Sequence, residues 1–274
     1  MSEENIRELM RWYLDAGVDE TISDDPVDRF AAVEPSAVFA PQAAPGAVKS
    51  SPDKADKPQR QKPRQDSALP QGAEAAIHDA VGLASSANSV EELRAALEGF
   101  DGCPLKKTAT NLVFIDGNPA AKILFVGDGP GADEDRQGLP FVGSSGQLLD
   151  RMLASIGLDR QSVLISNTVF WRPPGNRTPT TAEIAICMPF VERLIDVVDP
   201  DIVIALGGAA AKTLLAQSQG IGRLRGKWFA YSSPRLPRPI DAMAMFHPTY
   251  LLQSSGQKRE AWRDMLMLKQ KLAE

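Results

Sequence analysis

Cysteine occupies only two of the 274 positions, Cys103 and Cys187. Two thiols cannot build a disulfide framework, so a reducing, cytoplasmic setting is the expectation. Long apolar runs are missing too: no stretch would span a membrane, and the first residues hold no apolar signal core. No membrane role is expected. Histidine appears twice, at His78 and His247. There is no Walker sequence, and the turn Gly127-Asp128-Gly129-Pro130-Gly131 lacks the Gly-x-Gly-x-x-Gly spacing, with Pro130 removing an amide that a phosphate would use. A dinucleotide site is disfavoured.

The formal net charge of −5 looks wrong for a nucleic-acid partner, but the excess is local. Residues 1–35 carry ten Asp or Glu against three Arg, a net −7, which leaves +2 for the remainder. Overall charge neither excludes DNA nor argues for it, and any basic groove must come from local clustering.

Residues 4–17 place Ile6, Leu9, Met10, Tyr13 and Leu14 on one face of a short amphipathic helix, with an acidic tail running to residue 33. Such a helix either frays or docks in a groove, so residues 1–35 are a candidate segment for binding a protein partner. Residues 34–72 are rich in Pro, Ala, Ser, Lys and Gln and read as a disordered linker. The folded domain is expected over 73–274. Helices are expected at 73–85 and 89–99. Strand candidates at 122–127, 162–166, 201–206 and 241–246 then alternate with helices near 144–157, 181–198, 207–216 and 257–272, with a possible extra strand at 227–231. Alternation of this kind predicts an α/β domain whose parallel sheet is covered on both faces and whose working edge lies at the carboxyl ends of the strands.

Each strand candidate ends in a distinctive group. The run Ile123-Leu124-Phe125-Val126 leads to Asp128, the second strand to Asn167, the third to Gly207-Gly208, and the fourth to His247-Pro248-Thr249-Tyr250. In a parallel sheet these groups converge on one rim. Asn167 offers both a donor and an acceptor, which suits the edge of an amide-like heterocycle such as a pyrimidine. Read alone, Asn167 could cap a loop and Asp128 a helix or turn. His247, opposite an acid on the same rim, reads as catalytic. Phe141 is either plain core or a platform for a planar base. Gly143-Ser144-Ser145-Gly146 opens a helix where amides and hydroxyls can grip a phosphate. Arg172 and Arg177 sit on a stiff Pro-rich loop, and Arg223, Arg225 and Lys227 form a second basic cluster; solvated loops are the plain alternative for both.

Taken together, these stretches resemble the uracil-DNA glycosylase superfamily, and within it family 4. The resemblance rests on Gly127 to Gly131 with Glu134-Asp135, Gly138-Leu139-Pro140-Phe141-Val142-Gly143, Gly146-Gln147-Leu148-Leu149, Asn167, Arg172 to Arg177, Leu206-Gly207, Arg225-Gly226-Lys227-Trp228 and Phe246 to Leu252. It runs collinearly over about residues 90–274. It implies a three-layer α/β/α sandwich with a central four-stranded, mainly parallel sheet, acting on uracil-containing DNA as a monofunctional glycosylase that initiates base excision repair. By the same resemblance Asp128 positions the attacking water and His247 donates a hydrogen bond to the departing uracil. Gly127, Gly129, Glu134, Phe141 and Asn167 surround the base, and Ser144, Ser145, Arg172, Arg177, Pro248, Thr249 and Tyr250 meet the DNA. A monomer is expected. The alternatives are a noncatalytic DNA-binding adaptor that kept the fold, or a glycosylase for another deaminated base such as hypoxanthine.

Two departures from the family pattern stand out. Family 4 members usually carry Glu where this chain has Asp128, which keeps the charge and shortens the reach. The family also binds a [4Fe-4S] cluster through four cysteines, whereas here Phe100 and Trp171 hold the first and third of those positions and only Cys103 and Cys187 remain. No cofactor is therefore expected, and the two remnant thiols should be buried and inert.

Overall fold

The computed structural model describes residues 72–273, so the expected N-terminal helix and acidic tail, and nearly all of the linker, lie outside the described residues. In chain order the elements are α1 (Ala73–Ser86), α2 (Val90–Gly99), β1 (Asp116–Gly117), β2 (Ile123–Gly127), α3 (Ala132–Gln137), α4 (Ser144–Ser155), β3 (Leu164–Asn167), α5 (Thr181–Val198), β4 (Ile202–Leu206), α6 (Gly208–Leu214), α7 (Ile221–Leu224), β5 (Trp228–Tyr231), β6 (Ile240–Met245), α8 (Pro248–Gln253) and α9 (Lys258–Lys271), with three single 3₁₀ turns between them.

The sheet order is β1-β3-β2-β4-β6-β5. The four expected strands, β3, β2, β4 and β6, pair in parallel and form its centre. Two antiparallel strands close the edges, so the sheet has six strands. One of them, β5, falls on the possible extra strand; the other, β1, is too short to show any periodicity.

Strands β2 and β4 are buried along their whole length, as expected for parallel strands covered on both faces. Their side chains alternate between two cores. Leu124, Val126, Val203 and Ala205 face the layer holding α1, α2, α5 and α6. Ile123, Phe125, Ile202 and Ile204 face Leu149 and Leu153 of α4 and Met265 and Leu268 of α9. This period-two division produces the three-layer α/β/α sandwich. Helix α5 begins with a reciprocal cap: the Glu183 amide donates to Thr180 Oγ1 at 3.2 Å, and the Thr180 amide to Glu183 Oε2 at 2.8 Å.

From β2 the chain crosses to β3 on one side and returns to β4 on the other. Such a reversal leaves a crevice outside the carboxyl ends of the strands. Register fixes what faces it: Gly127 of β2 pairs with Asn167 of β3, and Leu206 of β4 with Met245 of β6, two residues before His247.

Candidate active site

A cavity of about 380 Å³ opens at this rim, and Asp128, Phe141, Asn167 and His247 all line it. Four separate elements deliver these groups, and the backbone between them leaves no room for a further carbon. A Cβ at Gly127 would lie 2.5 Å from Asn167 Oδ1 and 2.6 Å from Phe141 Cζ, so only glycine lets the aromatic ring and the amide approach the strand together.

The Asp128 carboxylate turns toward α6, where its Oδ1 accepts from the Ala210 amide at 2.7 Å. Gly207, at φ 106°, makes this possible, since a Cβ there would stand 2.5 Å from Asp128 Oδ2. The Thr168 hydroxyl donates to the Asp128 carbonyl at 2.6 Å and fixes the turn from below. Burial raises the Asp128 pKa, opposed by the nearby His247 imidazole and by the Ala210 and Ala209 amides. A carboxylate whose pKa is raised is a better proton acceptor than an ordinary one.

His247 caps α8, and its Nδ1 accepts from the Thr249 amide at 3.2 Å. That bond commits the Nδ1 lone pair, so the neutral ring carries its proton on Nε2. Burial pushes the imidazole pKa down and Asp128 pulls it back up. The ring lies 5.4 Å from that of Phe141, tilted by 31°. Asn167 is 1% exposed, and neither Oδ1 nor Nδ2 finds a partner among the described residues. A buried amide with both ends unmet, beside an aromatic face, fits a planar ring that carries an adjacent donor and acceptor.

The other expected contacts divide. Gly129, Ser145, Arg177, Thr249 and Tyr250 line the cavity. Gly127 lies behind Phe141 and Asn167, and Pro248 is buried beneath the rim. Ser144 is exposed, and neither Ser144 nor Arg172 is part of the lining. Arg172 Nε donates to Asn176 Oδ1 at 2.6 Å, which stiffens the loop. The Arg177 guanidinium holds Glu183 through two bonds of 2.8 and 2.6 Å, so its charge is already matched.

Glu134 lines the cavity, but its carboxylate is taken up by the backbone. Oε2 accepts from the Gly131 amide at 3.1 Å, and Oε1 from the Val142 and Gly143 amides at 3.1 and 2.9 Å. It staples the Asp128 turn to the Phe141 loop, and it occupies the two amides that precede α4. In the second basic cluster, Arg223 and Lys227 are exposed while Arg225 turns inward to Glu260 and Asp264. Sequence reading placed Gly207 on the rim without its backbone role, and it missed Ala210 and Arg160. The positive φ of Gly207 had a sequence signal in the Gly207-Gly208 pair; the other two are recognised only through distant partners.

The two cysteines are fully buried, and the Cys187 thiol donates to Cys103 Sγ at 3.9 Å. Phe100 and Trp171 are 3% and 2% exposed and belong to the same core as Phe190, whose ring stands 5.2 Å from that of Phe100. Two thiols, buried in the same core as these rings, cannot supply the four thiolates that a four-iron cluster requires. The residues present do not fit that group.

Comparison with known proteins follows the same rim. The family described as "Uracil DNA glycosylase superfamily" matches residues 114–266, which include Asp128, Phe141, Asn167 and His247. The type-4 uracil-DNA glycosylase of Archaeoglobus fulgidus is 41% identical over 154 residues, covering 55% of this chain and 76% of that protein. The Thermotoga maritima protein of the same description is 40% identical over 153 residues (56% and 77%), and that of Pyrobaculum aerophilum 34% identical over 182 residues (65% and 92%). Because the match spans more than half of the chain and every strand end that builds the cavity, the protein belongs to the uracil-DNA glycosylase superfamily.

Proposed function

We propose that this protein hydrolyses the N-glycosidic bond of uracil in DNA and so initiates base excision repair, with Asp128 and His247 as the reacting pair. One observation carries the reading: the Asn167 amide, buried with both ends unmet beside Phe141, lies in a cavity lined by an acid and a neutral imidazole. Uracil offers a carbonyl and an N–H side by side, the complement of that amide.

The base must leave the stack before a pocket can hold it. Phe141 then supports its face and Asn167 reads its edge. As the bond between N1 and C1′ breaks, the base gains negative charge and the sugar positive charge. The Nε2–H of His247 donates to the uracil oxygen where that charge collects, which lowers the barrier only if the bond strengthens in the transition state. Asp128 keeps Oδ1 on Ala210 and offers Oδ2 to water. The water oxygen bonds to C1′, its proton passes to Asp128, and uracil leaves as an anion that later takes up a proton. The products are free uracil and an abasic site.

No step runs through iron, and the reading includes the absence of a cofactor. It also includes a monomer in a cytoplasmic setting, with residues 1–35 recruiting a protein partner and Ser145, Thr249 and Tyr250 meeting DNA. The direct test incubates the full chain with uracil-containing single- and double-stranded oligonucleotides and looks for free uracil and alkali-labile sites. Retained DNA binding without product would make the protein an adaptor. Release of hypoxanthine but not uracil would change the substrate.

A further inference from the structure

Phe141 carries a φ of 54°, a left-handed conformation that a bulky residue adopts only when its surroundings impose it. Three contacts impose it. The Glu134 carboxylate holds the next two amides, at Val142 and Gly143. Gly146 makes room for the Phe141 carbonyl, because a Cβ at that position would stand 1.6 Å from the oxygen. The third contact is Arg160, whose Nη2 donates to the same carbonyl and whose Nη1 reaches the Pro140 carbonyl at 3.4 Å.

Arg160 is itself aimed from two sides. Its Nε donates to Asp150 Oδ1 at 2.8 Å, and its Nη1 pairs with Asp116 on β1. The side chain is 25% exposed, and a planar fork satisfies two carboxylates and two carbonyls at once. Arg160 lies outside the cavity lining and reaches the backbone of Phe141, not its ring.

We propose that Arg160 is a positioning residue: by clamping the strained Phe141 backbone it sets the plane of the ring on which uracil stacks. The proposal rests on the function argued above. It gives the short edge strand β1 a task, since β1 supplies one of the carboxylates that aim the guanidinium.

The test is a double-mutant cycle between Arg160→Met and Phe141→Ala in the full-length protein, read as kcat/KM for uracil release and as Kd for free uracil. Arg160→Met alone should weaken both by about ten- to a hundredfold. With alanine already at 141 it should cost no more than about twofold, because no ring remains to be positioned. Equal losses in both backgrounds would make Arg160 an ordinary tether and overturn the proposal. If Arg160→Met does not fold, Asp150→Asn loosens the same guanidinium at a half-exposed site without leaving a hole, and additivity in its cycle overturns the proposal equally. A wild type that releases no uracil refutes the function, and the cycle is then decided by uracil affinity. A wild type that also fails to bind uracil refutes both.

Discussion

The Asp128 carboxylate is fastened to the Ala210 amide at 2.7 Å, so the acid at the end of β2 caps the helix that follows β4. An acid of the glycosylase and a helix cap would ordinarily be rival readings of one residue. The two roles are compatible, because a carboxylate has two oxygens and the helix uses only one. The bond fixes the direction of this short side chain.

Asp128→Asn keeps an oxygen for Ala210 and removes the charge. Uracil release should fall by about two to four orders of magnitude, as for loss of a general base, while the melting temperature stays near that of the wild type. Single-turnover release and thermal unfolding on the same preparation check both halves. A large fall in melting temperature would assign the residue to the cap alone.

The pH profile follows from the direction of the Asp128 shift. Burial raises its pKa above the ordinary value of about 4, so the rate should rise with pH as the carboxylate ionises and level off once it is fully ionised. Burial pushes the His247 pKa down, so the imidazole sheds its charge at a lower pH than a free one. A rate that increases on acidification would contradict the assignment.

His247→Ala removes the donor to the uracil oxygen, and release should slow by about two to three orders of magnitude. DNA affinity, measured with an uncleavable analogue, should change little. An equally active variant would take His247 out of the mechanism.

Glu134 separates a structural from a chemical role. Glu134→Ala leaves three backbone donors without their acceptor, which should cost about 3 kcal/mol and lower the melting temperature by roughly 10 °C. Lost activity at an unchanged melting temperature would instead place the carboxylate in the reaction.

Protein purified anaerobically should contain no stoichiometric iron or sulfide, and a strong chelator should leave uracil release unchanged. The reason is the number of ligands: Cys103 and Cys187, 3.9 Å apart in the core, are two thiols where four are needed. A brown preparation with four irons per chain, the content of one such cluster, would refute it.

The centre of the sheet was legible because parallel strands buried on both faces must be continuous apolar runs, as in Ile123–Gly127 and Ile202–Leu206. The rim was legible for the same reason, since chemistry collects where those runs stop. Short pieces were not: α3, α7 and α8 span four to six residues and show no full period. Charge was the least legible. Arg225 read as part of a basic cluster or a solvated loop, but its partner Asp264 lies 39 positions away and is fully buried. Arg160 carried no signal at all, because Asp116 stands 44 positions before it. The Arg177–Glu183 pair was nearer the surface of the sequence, in a Thr-x-x-Glu start to a helix.

Asn167 has a consequence for heat. A buried amide whose two ends meet nothing in the protein costs the fold about 1–3 kcal/mol per unpaired group, and a uracil ring that pairs with both returns that stability. If Asn167 reads the base as proposed, recognition and melting are linked through one side chain, and a thermal scan across a panel of free bases would rank the pocket's preferences without any DNA present.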